Sequence, residues 1–583
     1  MTETKGALRR RDILLGGGAA ALAGAVASNA GAEAQAVPAR KFDHETDIVC
    51  VGGGAAGLTA AVTAVGEGAK VIVLEKGPIL GGTTAKSGAV FWIPNNFALR
   101  EQGIRDARDD CLRFLARFSW PEYYDPEAEM LGLEPEAYRL LEAFYDNGSV
   151  MTDHLQKLGA LKAGQWRMWD IDRTAPDYLS HVPENKVPEG RPLGPKLDDG
   201  KIGQGVDLIF QFEEWLTAKG VPLLTEHRVT EILMEQGRVI GVLADHNGKQ
   251  VAIRARKGVI FGTGGYAHNV ELLRRYQPGP VYGSCAQSLA TGDFITLAAK
   301  IGAKLGNMDS AWRTQVVFEE TLDNRVVGLG AFFLPGDSMI MVDRTGKRVV
   351  NEKRNYNDRT RIHYQFNPND AEYPNQFLFM IYDQRCAEVK AGNFPLPQDP
   401  SKPGSFIIKG ETLDELAANL DARMKKLSDR TGDFMLDADF ASGLKATVAR
   451  FNEFARKGKD EDFGRGDRDY DRVWELMFGA TRKDTRWPAG EYPNPVMYPF
   501  QDKGPYYAII LAPGVLDTNG GPVVNEHGQV IPADGTPIPG LYGAGNCIAS
   551  PSRHAYYGAG GTIGLAMTFG YIAAKHAKAQ KEA

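Results

Sequence analysis

The chain has 583 residues, of which 43% are hydrophobic and 24% are charged, and its formal net charge is −6. These values are those of an ordinary globular protein large enough for two or more domains. No basic run interleaved with aromatic residues follows Arg11. This composition excludes nucleic acid as the expected partner and favours a small molecule.

The first 36 residues predict an export signal that does not belong to the fold. Arg10 and Arg11 precede an apolar stretch of small residues, and the sequence A-Q-A at 34–36 forms a cleavage site. The stretch is too short and too rich in glycine and alanine for a membrane-spanning helix, so we expect no transmembrane anchor. The alternative is a buried helix with a basic start. We expect export of the folded protein by the twin-arginine route and residence in the periplasm.

The first predicted strand after this signal ends in a glycine turn. Residues 47–51 form an apolar run rich in β-branched residues, which is typical of a buried parallel strand. Gly52, Gly54 and Gly57 complete a G-x-G-x-x-G pattern. Its first glycine makes the turn, its second admits a pyrophosphate, and its third lets a helix pack on the strand. The alanine-rich segment that follows predicts a helix whose N-terminal dipole faces the phosphates.

Further segments extend this dinucleotide cradle. Glu75 ends the next predicted strand, where a carboxylate accepts hydrogen bonds from a ribose diol. Residues 81–87 form a second loop of small and polar residues that suits a ribityl chain and an isoalloxazine ring. Residues 256–265 predict another strand that ends in glycines, and the run G-L-Y-G-A-G-N at 540–546 predicts a strand and turn that bring Asn546 to the cofactor.

These recurrences resemble the FAD-binding domain shared by fumarate reductases and 3-ketosteroid dehydrogenases. The tail R-H-A-Y-Y-G-A-G-G-T-I-G at 553–564 resembles the closing motif of the 3-ketosteroid Δ1-dehydrogenases, although Tyr557 stands where those enzymes usually have proline. The resemblance implies FAD as the cofactor. The predicted cofactor-binding residues are Gly52, Gly54, Ala55, Ala56, Gly57, Glu75, Lys76, Gly82, Thr83, Thr84, Ser87, Gly88, Val229, Gly262, Gly264, Gly265, Asp293, Asn546, Gly561, Thr562 and Ile563.

The resemblance also implies which residues carry the reaction. In that family a tyrosine hydroxyl and the N–H of a glycine four residues later hold the ketone of the substrate, and these match Tyr556 and Gly560. Such a pair forms an oxyanion hole for a developing enolate. The family's base, a tyrosine after an N-E pair, matches Tyr356, and a second tyrosine in a P-D-Y segment matches Tyr178. Because free tyrosine has a pKa near 10, Tyr356 requires a pKa lowered by a neighbouring phenol, a cation or the oxidised flavin.

The chain is predicted to be an α/β protein. A Rossmann-like FAD-binding domain is built from both ends of the chain, at 41–283 and 487–583, and a substrate domain of α+β class is inserted at 284–486. Hairpin turns are expected at 236–237 and 247–248. The strand at 506–510 is expected to return the chain to the FAD domain, and the site is expected at the domain interface.

The five cysteines show no CxxC, CxxCH or His/Cys cluster, so we expect no metal, haem or iron–sulfur site. Cys50, in the first strand, is predicted to be a small core residue. An odd number of cysteines in an oxidising compartment excludes complete internal pairing and leaves the disulfides undecided.

The favoured function is an FAD-dependent dehydrogenase that introduces a double bond next to a ketone, with an apolar cyclic ketone as substrate. Tyr356 removes the α-proton and the β-hydride passes to flavin N5; a quinone, a soluble carrier or oxygen then accepts the electrons. One alternative is a fumarate-reductase-like enzyme, for which Arg553 and His554 offer cationic groups. Another is a non-catalytic electron-transfer protein. For single residues, the competing interpretations are a surface loop for Tyr178 and a structural core position for Tyr556.

Overall fold

The computed structural model describes residues 41–168, 173–478, 485–487 and 492–582. The predicted export signal at 1–36 lies outside these residues. In the described part of the chain, no helix combines the length and the apolar character that are needed to cross a bilayer.

The strands are, in chain order, β1 (His44–Val51), β2 (Val71–Leu74), β3 (Phe91–Trp92), β4 (Ala163–Gln165), β5 (Pro192–Pro195), β6 (Leu223–Leu224), β7 (Arg228–Glu235), β8 (Arg238–His246), β9 (Lys249–Phe261), β10 (Leu305–Gly306), β11 (Ala311–Val317), β12 (Met339–Val342), β13 (Leu378–Asp383), β14 (Ile407–Gly410), β15 (Tyr506–Thr518), β16 (Gly521–Pro522) and β17 (Leu541–Gly543).

The α-helices are α1 (Ala55–Gly66), α2 (Gly82–Ala85), α3 (Phe97–Glu101), α4 (Arg108–Ser119), α5 (Pro135–Lys157), α6 (Gly205–Ala218), α7 (Val270–Tyr276), α8 (Asp293–Lys300), α9 (Phe318–Asp323), α10 (Tyr356–Thr360), α11 (Gln384–Val389), α12 (Leu413–Lys426), α13 (Ser428–Thr431), α14 (Phe440–Lys457), α15 (Asp469–Phe478) and α16 (Gly561–Ala579). Short 3₁₀ helices lie at Glu129–Gly132, Arg361–Tyr364 and Gly545–Cys547.

The first sheet has seven strands within the described residues, in the order β6-β2-β1-β9-β8-β7, and β17 also pairs with β9. The β6, β2, β1, β9 and β17 strands are parallel, whereas β8 runs antiparallel to both of its neighbours, β9 and β7. Because β17 comes from the last part of the chain and β1 from the first, both ends build one sheet. This is the predicted Rossmann-like arrangement. Cys50 of β1 is fully buried, as predicted.

Both predicted hairpin turns are present in this sheet. The turn between β7 and β8 has positive φ at Gln236 and Gly237, and the turn between β8 and β9 has positive φ at Asn247 and Gly248. Positive φ at both central residues is the geometry of a type I′ turn, which matches the twist of the flanking strands. The sequence pairs Q-G and N-G were therefore sufficient to locate both turns.

The second sheet is antiparallel, in the order β11-β15-β13-β12, and β14 also pairs with β15. Alternate residues of β12 and β13 face two different apolar cores, and α12 and α14 cover one of these faces. Residues 506–510 form a strand as predicted, and they lie in this second sheet at the start of β15. The end of β15 reaches the cofactor cavity, where Asp517 accepts a hydrogen bond from the N–H of Gly265, and the return of the chain to the FAD domain stays a prediction. The local pattern of a strand does not specify which strand it pairs with.

The helices α1 and α16 hold the first and last parts of the chain together. A Cβ atom on Gly570 of α16 would overlap the carbonyl oxygen of Ala56 in α1, so a glycine is needed where these backbones meet. Both helices contribute to the same apolar core as β1, β2 and β9. From Phe42 onward the chain forms one compact unit, and the domain boundaries at 283 and 486 stay a prediction.

Candidate active site

A cavity of about 480 Å³ begins at the carboxyl ends of β1, β2 and β9. Gly52 follows β1, Glu75 follows β2 and Gly262 follows β9, and all three line it. Ligands of α/β sheets bind at this edge. The cavity then continues toward β11, α10 and the N-terminus of α16, so residues from widely separated parts of the chain form one site.

The glycines of the turn after β1 have different surroundings. A Cβ on Gly54 would meet other protein atoms only at ordinary contact distances, the nearest being Thr84 Oγ1 at 3.6 Å, so the space in front of it is open. A Cβ on Gly57 would overlap the carbonyl oxygen of Gly52. Gly54 therefore lines a cradle that a ligand can enter, whereas Gly57 allows helix α1 to pack on the strand, and Gly57 does not line the cavity.

Glu75 binds the backbone at both of its carboxylate oxygens. Oε2 accepts a 2.8 Å hydrogen bond from the N–H of Gly53, and Oε1 accepts a 2.6 Å hydrogen bond from the N–H of Gly77. A carboxylate oxygen can accept more than one hydrogen bond, so the predicted contact with a ribose remains compatible with these two. The carboxylate also holds the glycine turn in place.

An ion pair lies near the same end of the cavity. Lys76 Nζ lies 3.2 Å from Asp293 Oδ2 and donates to Thr291 Oγ1 at 2.8 Å. Burial alone would raise the pKa of Asp293, but Lys76, Thr291 and Arg228 lower it. Lys76 and Asp293 line the cavity, as does Val229, so all three predicted positions lie at this end.

The second predicted loop is fixed by its own hydroxyl groups. Thr84 Oγ1 accepts a 3.2 Å hydrogen bond from the N–H of Ala55, at the first turn of α1, and Thr83 Oγ1 accepts one of 3.1 Å from the N–H of Gln287. Ser87 Oγ donates to the carbonyl of Thr84 at 2.7 Å and accepts from the N–H of Ala89 at 3.1 Å. The loop is therefore tied to the glycine cradle that it faces.

The tail approaches the cavity through Gly560, which caps α16. Gly560 has φ of +87°, and a Cβ there would overlap the backbone of Val90, so only glycine fits. The carbonyl of Gly560 accepts a 3.0 Å hydrogen bond from the N–H of Trp92. This bond fixes the turn in which Gly560 lines the cavity beside Ala559 and Thr562.

Asn546 lies on the cavity wall but its amide is held by other side chains. Trp312 Nε1 donates to Asn546 Oδ1 at 2.9 Å, and Asn546 Nδ2 donates to Asp517 Oδ2 at 3.1 Å. Burial raises the pKa of Asp517 to about 6. The edge of the Trp312 ring meets Tyr556, with ring centroids 5.2 Å apart. The Asn546 amide thus links a buried carboxylate to the tyrosine site.

Three predicted tyrosines converge in the cavity. Tyr178 donates a 2.8 Å hydrogen bond from its hydroxyl to the hydroxyl of Tyr356. The rings of Tyr178 and Tyr556 are stacked with centroids 5.1 Å apart, and the Tyr356 and Tyr556 rings meet edge to face at 5.5 Å. Tyr178 is 1% exposed, so the surface-loop interpretation is wrong. Gly560 completes this constellation on the same cavity wall.

The pKa values of these tyrosines are raised rather than lowered. Burial raises the pKa of Tyr356 well above 10, and the neighbouring Tyr178 and Tyr556 raise it further. Burial also raises the pKa of Tyr178 and of Tyr556. The expectation that a neighbouring phenol lowers the pKa of Tyr356 is therefore wrong, because two phenolates cannot be stabilised side by side in an apolar site.

Sequence reasoning missed most of the apolar cavity wall beside the tyrosines. It is formed by aromatic residues from four separate segments, namely Trp166, Trp312, Phe332, Phe333 and Trp474. The rings of Phe333 and Trp474 are stacked at 5.3 Å, and those of Phe332 and Tyr356 lie 5.0 Å apart. Large aromatic residues, four of these five in the inserted segment, were the available signal, but only the fold brings them to one wall.

Most of the predicted site residues line this one cavity. Three predicted cofactor residues do not, namely Gly57, Gly265 and Gly561. Gly265 is bound through its N–H to Asp517 Oδ2 at 2.9 Å, and a Cβ on Gly561 would meet the Tyr556 ring at 3.4 Å. Gly265 and Gly561 thus let the Asp517 carboxylate and the Tyr556 ring pack closely against the backbone behind the residues that line the cavity.

The model of the FAD-binding domain family matches residues 47–563. The chain belongs to this FAD-binding family. It is 33% identical to the 3-oxosteroid 1-dehydrogenase of Mycolicibacterium smegmatis, over 91% of this chain and 97% of that protein. It is also 30% identical to the 4-oxocyclohexanecarboxylate 2-dehydrogenase of Sinomonas cyclohexanicum, over 91% and 92% of the two chains.

Among solved structures, the fold is similar to that of 3-ketosteroid Δ1-dehydrogenase from Sterolibacterium denitrificans in complex with 1,4-androstadiene-3,17-dione. The TM-score is 0.74 at 26% identity, and the match covers 92% of this chain and 100% of that one. The protein is thus a 3-ketosteroid Δ1-dehydrogenase-like FAD oxidoreductase that acts on CH–CH groups, which confirms the predicted family, fold class and cofactor.

The residues of the cradle fit FAD. The open face of Gly54, the N-terminus of α1 and the anchored loop at Thr84 form a continuous wall for a pyrophosphate and a flavin. In the described residues, no group of three or more His, Cys, Asp or Glu side chains is arranged to hold a metal ion, and all five cysteines are free.

Proposed function

We propose that this enzyme desaturates the carbon–carbon bond next to the ketone of an alicyclic substrate, with Tyr356 as the base. The observation that carries this proposal is the convergence of Tyr178, Tyr356, Tyr556 and Gly560 on one cavity wall. An electron-transfer protein has no use for three linked phenols in a cavity lined by aromatic rings, so the non-catalytic alternative explains less of the site.

In this mechanism the Tyr556 hydroxyl and the Gly560 N–H hold the carbonyl oxygen of the substrate. Two preorganised donors stabilise negative charge as it develops on this oxygen, which acidifies the neighbouring C–H. Tyr356, as the phenolate, takes the α-proton, and the 2.8 Å hydrogen bond between Tyr178 and Tyr356 holds the Tyr356 oxygen in place for this step. Bound FAD supplies the acceptor for the hydride that leaves the β-carbon.

The cavity wall supports an apolar ring system as substrate. Trp166, Phe332, Phe333 and Trp474 present aromatic faces, and such faces bury flat alicyclic surface well. The relatives named above act, by their names, on 3-oxosteroids and on an oxocyclohexanecarboxylate. We therefore place the substrate among cyclic ketones, with the ketone toward Tyr556 and the rings along the aromatic wall.

The fumarate-reductase-like alternative depends on Arg553 and His554, which are bound elsewhere and do not reach the cavity. Arg553 pairs with Glu122 and stacks over the ring of Trp120 at 4.1 Å. His554 Nε2 lies 3.4 Å from Asp309 Oδ2. Neither residue is among those that line the described cavity. A dicarboxylate in the cavity would not be neutralised by either side chain.

The test is an anaerobic mixing experiment in which bleaching of the flavin reports substrate oxidation. A panel of monocyclic ketones, steroid ketones and saturated dicarboxylates such as succinate is mixed with FAD-loaded enzyme, and the Tyr356→Phe variant is the control. We expect bleaching with cyclic ketones only, and none with the variant. Rapid bleaching by dicarboxylates with inert ketones would establish the alternative.

Two further parts of the proposal concern the surroundings of the enzyme. We infer that an external quinone, soluble carrier or oxygen reoxidises the flavin, since the sequence offers no CxxC or CxxCH motif for a second redox centre. We also infer a periplasmic location from the arginine pair and the A-Q-A site before residue 37. Reoxidation rates with each acceptor class test the first inference.

A further inference from the structure

A buried carboxylate precedes the second tyrosine of the site. Asp177 is fully buried, and each of its oxygens accepts hydrogen bonds. Oδ1 accepts from the indole N–H of Trp92 at 2.7 Å, and Oδ2 accepts from the Asn185 amide at 3.0 Å and from the guanidinium of Arg191. Asp177 does not line the cavity, whereas the next residue, Tyr178, does. The hydrogen bonds of Asp177 therefore hold the segment that carries Tyr178.

The same carboxylate lies against the loop that carries Tyr556. A Cβ on Gly558 would lie 2.9 Å from Asp177 Oδ1, so the loop backbone passes directly over the carboxylate. The N–H of Tyr178 donates a 3.0 Å hydrogen bond to the carbonyl of Tyr557. The segment of Asp177 and Tyr178 therefore docks on the segment of Tyr556 to Gly558, beside the stacked tyrosine rings.

Tyr557 holds the other side of this loop. Its ring is fully buried among Trp92, Phe114, Phe118 and Phe144, with centroid distances from 5.4 to 6.3 Å. Its hydroxyl lies 2.7 Å from Ser119 Oγ. Trp92 thus contacts both Asp177 and Tyr557, and one indole connects the two segments.

A second carboxylate provides a natural comparison. Asp106 accepts two hydrogen bonds of 2.8 Å from Arg191, and it is also almost completely buried. Its remaining partner is the N–H of Asn95, at 2.9 Å, and none of its hydrogen bonds reaches the Tyr178 segment. Arg191 thus binds two carboxylates, of which only Asp177 contacts a tyrosine-bearing segment.

We infer that Asp177 is a positioning residue for the dehydrogenation, which sets the spacing between Tyr178 and the loop of Tyr556 and so aligns the Tyr178 hydroxyl on Tyr356. This inference rests on the proposed function, because it assigns Asp177 an effect through Tyr178. Burial raises the pKa of Asp177 to about 6, while its interactions with Arg191, Trp92 and Asn185 lower it.

The test compares Asp177→Asn with Asp106→Asn in the FAD-loaded enzyme. An asparagine at 177 still accepts from Trp92, but its amide NH₂ opposes the donors of Arg191 and Asn185. Each variant removes one of the two negative charges that pair with Arg191, so both are expected to lower Tm. Only Asp177→Asn is expected to lower kcat, by about 10²-fold, which is the effect of misplacing a reacting group by about 1 Å. KM for the ketone is expected to change less than about threefold, because the oxyanion donors remain.

A double-mutant cycle separates positioning from general damage. In a Tyr178→Phe background, Asp177→Asn is expected to lower Tm as before but to leave kcat unchanged, because the hydroxyl that it aligned is gone. Loss of kcat that adds fully to that of Tyr178→Phe overturns the inference, and so does an equal loss of kcat in Asp106→Asn. Wild-type flavin reduction by Tyr356→Phe would instead show that the proposed function itself is wrong.

If Asp177→Asn does not fold, Trp92→Phe serves as the milder variant. It keeps an aromatic ring beside Tyr557 but removes the hydrogen bond to Asp177 Oδ1. A fall in kcat that disappears in the Tyr178→Phe background supports the inference. An unchanged kcat in folded Trp92→Phe enzyme with lowered Tm contradicts it.

Discussion

The hydroxyl of Tyr178 donates a hydrogen bond to the hydroxyl of Tyr356 at 2.8 Å, although 178 positions separate the two residues in the sequence. Tyr178 precedes β5 and Tyr356 begins α10. The pair is therefore formed only when these two segments are folded against each other. The bond fixes where the Tyr356 hydroxyl lies, while the Tyr178 phenol contributes to the raised pKa of Tyr356.

Replacement of Tyr356 and replacement of Tyr556 should have different effects. Tyr356→Phe removes the proposed base, so flavin reduction should nearly stop while ketone binding survives. Tyr556→Phe removes one of two donors to the enolate oxygen, which typically costs about 10²–10³ in rate. Exchange of the substrate's α-proton with deuterated solvent measures proton removal independently of flavin bleaching. Exchange at the wild-type rate in Tyr356→Phe would show that the base lies elsewhere.

The rate of proton removal should rise with pH. Burial raises the pKa of Tyr356 above 10, so the phenolate is a minor species at neutral pH and the phenol loses its proton only as the pH increases. We expect log kcat for flavin reduction to increase by about one per pH unit between pH 7 and pH 10. Stopped-flow rates across this range provide the measurement, with Tyr356→Phe as the control. A flat profile would mean that the loaded enzyme lowers this pKa.

Substitutions at Gly54 and at Gly57 should affect different properties, FAD binding in the first case and folding in the second. Gly54→Val should abolish FAD binding and leave the apoprotein folded, because its side chain would occupy the open space that faces the pyrophosphate. Gly57→Ala should instead destabilise the apoprotein, because its Cβ would overlap the carbonyl of Gly52. Flavin absorbance of the purified protein and thermal unfolding of the apoprotein distinguish the two effects. Retention of FAD by Gly54→Val would refute the assignment of the cradle.

Replacement of both Arg10 and Arg11 by lysine should retain the enzyme in the cytoplasm. The twin-arginine route requires that pair, and it carries proteins that are already folded. Fractionation of cells should then find folded, flavin-containing enzyme on the cytoplasmic side, whereas the wild-type protein should begin near Val37 in the periplasm. Unchanged export of the double-lysine variant would show that the N-terminal pattern was misread.

The contiguous parts of the site were predictable from sequence. The cradle of Gly52, Gly54 and Glu75 lies within one β-α-β unit, so its spacing in sequence sets its spacing in space. Both hairpins followed from residues that accept positive φ. The tyrosines were located by family resemblance, because nothing in the local pattern around Tyr356 distinguishes it from a core residue.

The properties that depend on tertiary packing were not predictable. The pairing of the Tyr506 strand with β11, β13 and β14 was not predicted, since β-pairing partners are chosen by the whole fold. The effect of the neighbouring phenols on the pKa of Tyr356 was also missed, because it depends on burial and on two phenols that lie far away in the sequence. The aromatic wall of Trp166, Phe333 and Trp474 was missed for the same reason.

The packing of α1 on α16 has a consequence for the synthesis of the enzyme. Nearly the whole described chain lies between these helices, so the part of the α1 surface that packs on α16 stays uncovered until translation is almost finished, although α6, β1 and β2 already contact other parts of α1. Contacts of such high sequence separation slow folding. The contact between α1 and α16 is therefore one of the last to form as the chain is synthesised. Because Thr562 and Ile563 of α16 line the cavity, its wall is complete only when the end of the chain has been made, and flavin loading is then expected after translation.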